Sequence, residues 1–141
     1  LVGIDEVNRL PSWAILHQPP PGVAIVYPAF VHWLQSLAPF SVGIAPLTPD
    51  AFNTAKSGIK FMDYTALGAV TLASDLLPYQ EVIRHGENGI LVPGQSSEPW
   101  EQALEMVIGS QELRQRLLLQ ARQDWLLHHS YGSSLECILP I

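Results

Sequence analysis

The sequence has little cysteine, little positive charge and no long apolar run. Its single cysteine, Cys137, cannot form a disulfide within the chain, which fits a reducing compartment and predicts a cytoplasmic location. Seven basic against thirteen acidic residues give a net charge of -6, and this balance argues against a nucleic-acid partner. The most apolar window, residues 22–34, is interrupted by Pro28 and His32 and is too short for a transmembrane segment, so none is expected.

The chain also lacks an initiator methionine, a signal-peptide pattern and internal repeats. It opens on LVGIDEVNRL, so we expect it to be a piece of a longer protein. Adjacent His128 and His129 cannot both face one metal ion from a helix, and the other histidines are isolated. We therefore expect no metal site and no cofactor. The absence of a G-x-S-x-G sequence argues against a Ser/His/Asp hydrolase.

Strand and helix patterns alternate along a chain of 141 residues with 48% hydrophobic content, enough for one domain with one core. Short apolar runs predict buried strands at residues 1–4, 23–27, 40–47, 69–73 and 90–92. Helical spacing predicts a helix between Pro28 and Pro39, one that ends near Leu67, and two in the last third. Apolar strands that alternate with helices indicate an α/β fold with a doubly wound parallel sheet.

The two last helices are predicted from apolar stripes, and Ser110 is the predicted N-cap of the second. The first stripe contains Trp100, Leu104, Val107 and Ile108, and the second contains Leu113, Leu117, Ala121 and Trp125. We expect both stripes to be core or docking surface.

A polar segment follows the strand at residues 40–47, and it is the candidate anion site. In open parallel sheets, ligands bind beyond the carboxyl ends of the strands, where helix N-termini offer free N–H groups. Here Lys56, Ser57 and Gly58 precede the helix that ends near Leu67. A bound phosphate would offset the unfavourable position of a cation near a helix start.

The start of that helix decides which side chains share a face. If the helix begins near Lys56, then Lys56, Lys60 and Asp63 form one stripe. The neighbouring stripe is apolar and contains Ile59, Met62 and Ala66. The alternative is an ordinary solvated Lys60–Asp63 pair with Lys56 as a surface charge, and spacing alone does not decide between the two.

Four segments carry a resemblance to a known family. In order they are GIAPL, FNTAKSGIKFMDY, ALGAVTLAS and EVIRHGENGILV, and they resemble the C-terminal domain of the group 1 (family 4) glycosyltransferases of the GT-B fold. The resemblance is densest over residues 42–92 and weaker from residue 1 to about 127. It is closest to a subset that reads K-S-x-x-K-x-x-E/D-Y.

The resemblance implies a Rossmann-like domain, the C-terminal half of a GT-B fold. Residues 1–141 would then be a single partial domain that binds the donor nucleotide, without its first strand and helix and without the acceptor domain. The implied reaction transfers a sugar from a nucleotide-sugar donor to an acceptor, with retention and without a metal. The acceptor would bind the missing N-terminal domain.

The resemblance also implies roles for single residues. Asp63 stands where the family's second motif glutamate binds the ribose hydroxyls. The first motif glutamate, which contacts the donor sugar, falls on Ala55. This departure implies that Lys56, Ser57 and the backbone of Gly58 instead meet the diphosphate or the sugar.

Lys60 occupies a position that is usually apolar in the family, and it joins the predicted substrate contacts. No residue of the chain is assigned as catalytic. The family's basic pair lies upstream of Leu1, so we expect the isolated chain to be inactive.

Two other classes of function remain open at this point. Ala55 motivates a non-catalytic nucleotide-sugar-binding or protein-docking module. A flavodoxin-like or receiver-like module is disfavoured by the order of the motifs and by the lack of an acidic cluster after the first strand. For Glu81 and Arg84 we favour an exposed helix face with an i, i+3 contact.

Overall fold

The computed structural model describes residue 12 and residues 14–129, and the chain divides into two compact units, residues 1–38 and 39–141. The strand predicted at residues 1–4 lies outside the described part. In the first unit, helix α1 (Tyr27–Ser36) has Pro28 in its first turn, where a missing N–H costs nothing. The predicted helix between Pro28 and Pro39 is therefore confirmed.

The strand predicted at residues 23–27 is wrong, because turns occupy most of this segment. The N–H of Val23 bonds the carbonyl of Pro20 at 3.0 Å, and Gly22 has a φ of 82°. The preceding prolines lack N–H groups and favour turns, so they outweigh the apolar character of the run. Ile25 is accordingly 87% exposed.

The second unit contains the sheet and the remaining described helices. In chain order its elements are β1 (Val42–Ala45), α2 (Ala51–Thr54), α3 (Ile59–Ala66), β2 (Val70–Ser74), α4 (Leu77–Gln80), β3 (Ile90–Val92), α5 (Ser97–Gly109) and α6 (Gln111–His129). The strands form a parallel sheet in the order β1-β2-β3. The strands predicted at residues 40–47, 69–73 and 90–92 are thus confirmed, with β3 at its predicted bounds.

Helices cover both faces of this sheet, and alternate strand residues point to opposite faces. On one face, strand residues pack against α5 and α6 through Val70, Leu72, Ile90, Val92, Val107 and Leu117. On the other face, Ala45 and Ala73 pack with Phe61, Tyr79 and Ile83, which come from α3, α4 and the turn after α4. Helices on both sides explain why the strands read as apolar runs rather than as alternating patterns. The doubly wound α/β class is confirmed.

Helix α3 begins at Ile59 and not near Lys56, because α2 takes residues 51–54 and the chain breaks between the two helices. This start changes the buried face: Phe61 and Thr65 are buried, whereas Ile59 is 44% exposed. The predicted stripe of Ile59, Met62 and Ala66 was therefore wrong in register. Gly68, at a φ of 78°, ends α3 and leads directly into β2, as the sequence predicted.

The two last helices largely follow their predicted stripes. Ser110 caps α6, since its Oγ accepts the N–H of Leu113 at 3.1 Å. In α6, Leu117 and Ala121 are buried. Ile108 is 60% exposed, so it does not belong to the core, and its place in a docking surface stays a prediction.

Candidate functional site

Directly after β1, the backbone is hydrogen-bonded on both its N–H and carbonyl groups by one side chain of β2. The Oγ of Ser74, a residue only 2% exposed, accepts the N–H of Leu47 at 2.8 Å and donates to the carbonyl of Leu47 at 3.1 Å. Serine can make both bonds because its hydroxyl is at once a donor and an acceptor. The segment beyond the carboxyl end of β1 is therefore held in one position.

A cap then sets the direction of α2. Asp50 Oδ1 accepts the N–H of Asn53 at 2.8 Å, and Asp50 Oδ2 accepts the Thr48 hydroxyl and the Asn53 side-chain amide, each at 2.7 Å. The Thr48 bond contributes most to holding the pKa of Asp50 below its usual value, and the Asn53 backbone bond follows. The Asp50 carboxylate therefore stays charged at neutral pH and satisfies a free N–H of α2.

The short helix presents Phe52 and Lys56 at the surface. Phe52 is 76% exposed, and the Nζ of Lys56 lies 4.7 Å from the centroid of its ring. This is a cation–π contact, worth about 0.5–1 kcal/mol at an exposed site. The contact is weak enough for an anion to compete for the ammonium group.

Gly58 brings the loop after α2 into close contact with α4. A Cβ at Gly58 would lie 2.6 Å from Val82 Cγ2 and 2.7 Å from the carbonyl oxygen of Pro78. Both distances are shorter than real side chains allow, so a glycine is required here for close approach rather than for its φ of -73°. Lys56 and Ser57 are thereby held beside the helix that carries Tyr79.

Lys60 and Asp63 form an ion pair within the first two turns of α3. The Nζ of Lys60 donates to Asp63 Oδ2 at 3.1 Å, and the side chains are 44% and 10% exposed respectively. The Lys60–Asp63 pair of the alternative prediction is therefore formed, but it is not fully solvated, because the Asp63 side chain is mostly buried. It positions the Lys60 ammonium group, and it does not prevent Lys60 from lining a cleft at the sheet end.

Tyr64 closes the side of this cleft next to β1. Its hydroxyl donates to the carbonyl of Ile44 at 2.9 Å, and a Cβ on Gly43 would overlap its ring. Burial, with smaller contributions from Tyr79 and Asp63, raises the pKa of Tyr64 to about 12. The phenol is therefore neutral at physiological pH and stays a donor.

These elements enclose a cleft of about 410 Å³ at the carboxyl end of β1. Residues 44–47 and Ile59 supply its apolar part, and its polar side chains are Lys56, Ser57, Lys60, Tyr64 and Tyr79. All of these polar side chains are hydrogen-bond donors, and no carboxylate belongs to the described lining. The two lysines are the only lysines in the chain. The cleft is suited to an anionic ligand of moderate size.

The model of the family described as "Glycosyl transferases group 1" matches residues 51–124, which is slightly more than half of the chain. The chain belongs to this family. No curated protein and no solved structure was found to match the chain. The matched segment of this glycosyltransferase domain begins at α2 and includes Lys56, Ser57 and Lys60, so it covers all of the cleft lining except residues 44–47.

The structure brings together most of the residues predicted for the site of the glycosyltransferase. Lys56, Ser57 and Lys60 line the cleft, and Gly58 lies in the wall between them and α4. Asp63 is not part of the described lining, but its carboxylate forms an ion pair with Lys60, which is. Its predicted contact with ribose stays a prediction.

Sequence reasoning missed Tyr64 and Tyr79 as cleft residues. A usable signal existed for Tyr79, because it follows β2 at the same edge of the sheet as the segment after β1. Tyr64 stands inside the motif that carried the family resemblance, but its hydroxyl was not singled out.

A second cavity, of about 380 Å³, lies between α3, α6 and the turn after α4. One of its edges is a cluster around Asp124, which accepts bonds from Arg84 at 2.7 Å, Asn88 at 2.7 Å and Gln120 at 3.0 Å. Burial opposes ionisation of Asp124, but these three bonds outweigh it and hold its pKa below the usual value. Arg84 thus has a structural role, as predicted, with Asp124 and Glu87 as its ion-pair partners instead of Glu81.

No helix in the described part of the glycosyltransferase domain is long and apolar enough to cross a membrane. The cytoplasmic location stays a prediction. It rests on the single cysteine, Cys137, which lies outside the described residues.

Proposed function

We propose that this glycosyltransferase domain binds the nucleotide-sugar donor in the cleft at the carboxyl end of β1. The observation that carries the proposal is the placement of both lysines of the chain at this one cleft. Its volume of about 410 Å³ lies within the range of small-molecule sites. The diphosphate is placed against Lys56, Ser57, Lys60 and the N–H groups near Gly58.

Asp63 is the proposed acceptor for the ribose hydroxyls. Its carboxylate lies 3.1 Å from the Lys60 ammonium group, so a ligand that contacts Lys60 comes next to Asp63. A carboxylate accepts such hydroxyl bonds. Asp63→Asn is then expected to weaken binding of a nucleotide more than binding of pyrophosphate, which has no ribose.

The proposed chemistry is glycosyl transfer with retention. The bond between the anomeric carbon of the sugar and the diphosphate breaks, a bond from that carbon to the nucleophilic atom of the acceptor forms, the acceptor loses a proton, and the nucleoside diphosphate leaves. Charge that develops on the leaving diphosphate would be stabilised by Lys56, Lys60 and the free N–H groups of α3, without a metal ion. The acceptor would bind a second domain of a GT-B parent enzyme. We expect no sugar transfer by the isolated chain, because the basic pair implied by the resemblance lies outside it.

Lysine labelling combined with calorimetry tests the binding proposal. UDP, GDP and ADP are added to the chain before acylation of its amines, and mass spectrometry measures modification at Lys56 and Lys60. The amino terminus serves as an internal reference. The bound nucleotide is expected to protect both lysines and leave the amino terminus reactive.

Charge-removing variants complete the test. Lys56→Met and Lys60→Met are each expected to raise the Kd of the bound nucleotide about tenfold, the usual effect of one charged hydrogen bond. Arg116→Met is the matched control, since it removes one positive charge from an exposed position on α6. If none of the three nucleotides binds or protects, the proposed function is wrong.

A non-catalytic nucleotide-sugar-binding or protein-docking module is the second candidate. The observation in its favour is Ala55, which ends α2 at an exposed position and supplies no carboxylate for the donor sugar. The two candidates predict different outcomes for the full-length protein: a glycosyltransferase consumes a nucleotide sugar, whereas a non-catalytic module does not. Consumption of a nucleotide sugar by that protein would exclude the non-catalytic module.

A further inference from the structure

Tyr79 is a buried residue of the cleft whose hydroxyl has no hydrogen-bond partner among the described residues. The residue is only 3% exposed, yet its hydroxyl makes no hydrogen bond to any described residue. The Tyr79 hydroxyl is not fully enclosed, because the fully enclosed polar atoms without a partner in the described part belong to Thr71 and Trp125. The hydroxyl therefore keeps some solvent exposure, and Tyr79 is one of the residues that line the cleft.

The surroundings of Tyr79 keep this hydroxyl available as a donor. Burial raises the pKa of Tyr79, so the phenol carries its proton at neutral pH. The neighbouring Tyr64 hydroxyl is already bonded to the carbonyl of Ile44. Of the two phenols in the cleft, that of Tyr79 is thus the one without a hydrogen bond to the part of the chain that the structure describes.

The backbone holds Tyr79 beside the cationic loop. Pro78, its neighbour in α4, has its carbonyl oxygen 2.7 Å from where a Cβ on Gly58 would lie. Lys56 and Ser57 directly precede Gly58 and line the same cleft. A ligand in this cleft can therefore contact these two donors and Tyr79.

We propose that the hydroxyl of Tyr79 donates a hydrogen bond to a phosphate oxygen of the ligand in the cleft, together with Lys56 and Ser57. The inference rests on the proposed function, because it requires that the cleft binds a phosphate-containing ligand. Buried polar groups are normally hydrogen-bonded, and a ligand oxygen supplies the partner that the described residues do not.

Tyr79→Phe removes this hydroxyl and keeps the ring. Calorimetry on the 141-residue chain measures the Kd of UDP, GDP, ADP and pyrophosphate for the variant and the unmodified protein. We expect a Kd about ten- to a hundredfold higher for pyrophosphate and for whichever nucleotide binds. Gln80→Ala, at an exposed neighbouring position outside the cleft, is the control and should leave each Kd unchanged.

Thermal unfolding separates binding from a structural role. Because the hydroxyl bonds to none of residues 14–129, Tyr79→Phe should keep or raise the Tm while it weakens binding. Unchanged Kd values for Tyr79→Phe would overturn the inference and leave the proposed function standing. Weaker nucleotide binding with unchanged pyrophosphate binding would overturn the assignment to a phosphate oxygen. If the unmodified chain binds none of the probes, both the proposed function and this inference are wrong.

Discussion

The Asp124 cluster should make a large contribution to stability, and Arg84 provides a comparison within one molecule. Arg84 pairs at 2.7 Å with both Asp124 and Glu87, but the side chain of Asp124 is 10% exposed and that of Glu87 is 63% exposed. The same guanidinium group therefore has one partner that is mostly buried and one in solvent. An exposed pair contributes at most about 1 kcal/mol.

Asp124→Asn leaves the cluster with more donors than acceptors. Three side-chain donors converge on the two oxygens of Asp124, whereas an asparagine amide has one oxygen and adds donors of its own. Asn88 is only 1% exposed, so water does not readily replace its lost bond. Loss of one or two charged bonds predicts a fall of about 3 kcal/mol in the free energy of unfolding, and a Tm lower by on the order of 15 °C.

Urea and thermal unfolding of Asp124→Asn and Glu87→Gln at pH 7 measure the difference, and we expect Glu87→Gln to cost about 0.5 kcal/mol or less. The pKa of Asp124 is lowered in the folded chain, so its contribution is present above the unfolded value of about 3.9 and is lost as the pH falls through the folded value. The gap between the unmodified protein and Asp124→Asn should thus close below pH 4. Equal destabilisation by the two substitutions would refute the reasoning.

Three other substitutions follow from contacts described above. Gly58→Ala places a methyl group against the Pro78 carbonyl and should destabilise the fold by about 1–3 kcal/mol in urea unfolding, with weaker nucleotide binding; an unchanged midpoint would contradict the close contact. Ser110→Ala removes the cap of α6 and should cost about 1 kcal/mol, whereas Ser110→Asp should retain most of the stability. Tyr64 has a pKa raised to about 12, so the free energy of unfolding should fall as the pH rises from 10 to 12. In an ultraviolet titration of the folded protein, Tyr64→Phe should lack the phenol ionisation near pH 12.

Much of the second unit could be predicted from local sequence alone. Gly68 and the turn before Ile90 mark the starts of β2 and β3, since glycines readily adopt the positive φ that ends a helix or forms a tight turn. The predicted strand at residues 23–27 failed because the prolines before Gly22 impose a turn. Apolar character without an available neighbouring strand does not make a strand.

The candidate site was predicted only where its residues are adjacent in sequence. Lys56, Ser57 and Lys60 belong to one segment, and the rule for parallel sheets places that segment at the carboxyl ends of the strands. Tyr79 comes from a different strand end, and the bonds between Arg84 and Asp124 span 40 positions. Such contacts depend on how helices pack, which spacing within one segment does not report.

The two bonds between Ser74 and Leu47 have a consequence for binding affinity. The backbone pairing of β1 and β2 ends at Ala45 and Ala73, and beyond it the Ser74 hydroxyl takes the place of one further backbone pair. Residues 44–47, which line the cleft, are thus held in place by bonds within the folded protein. Little binding free energy is then lost to ordering that segment, which favours tight binding for a given number of contacts.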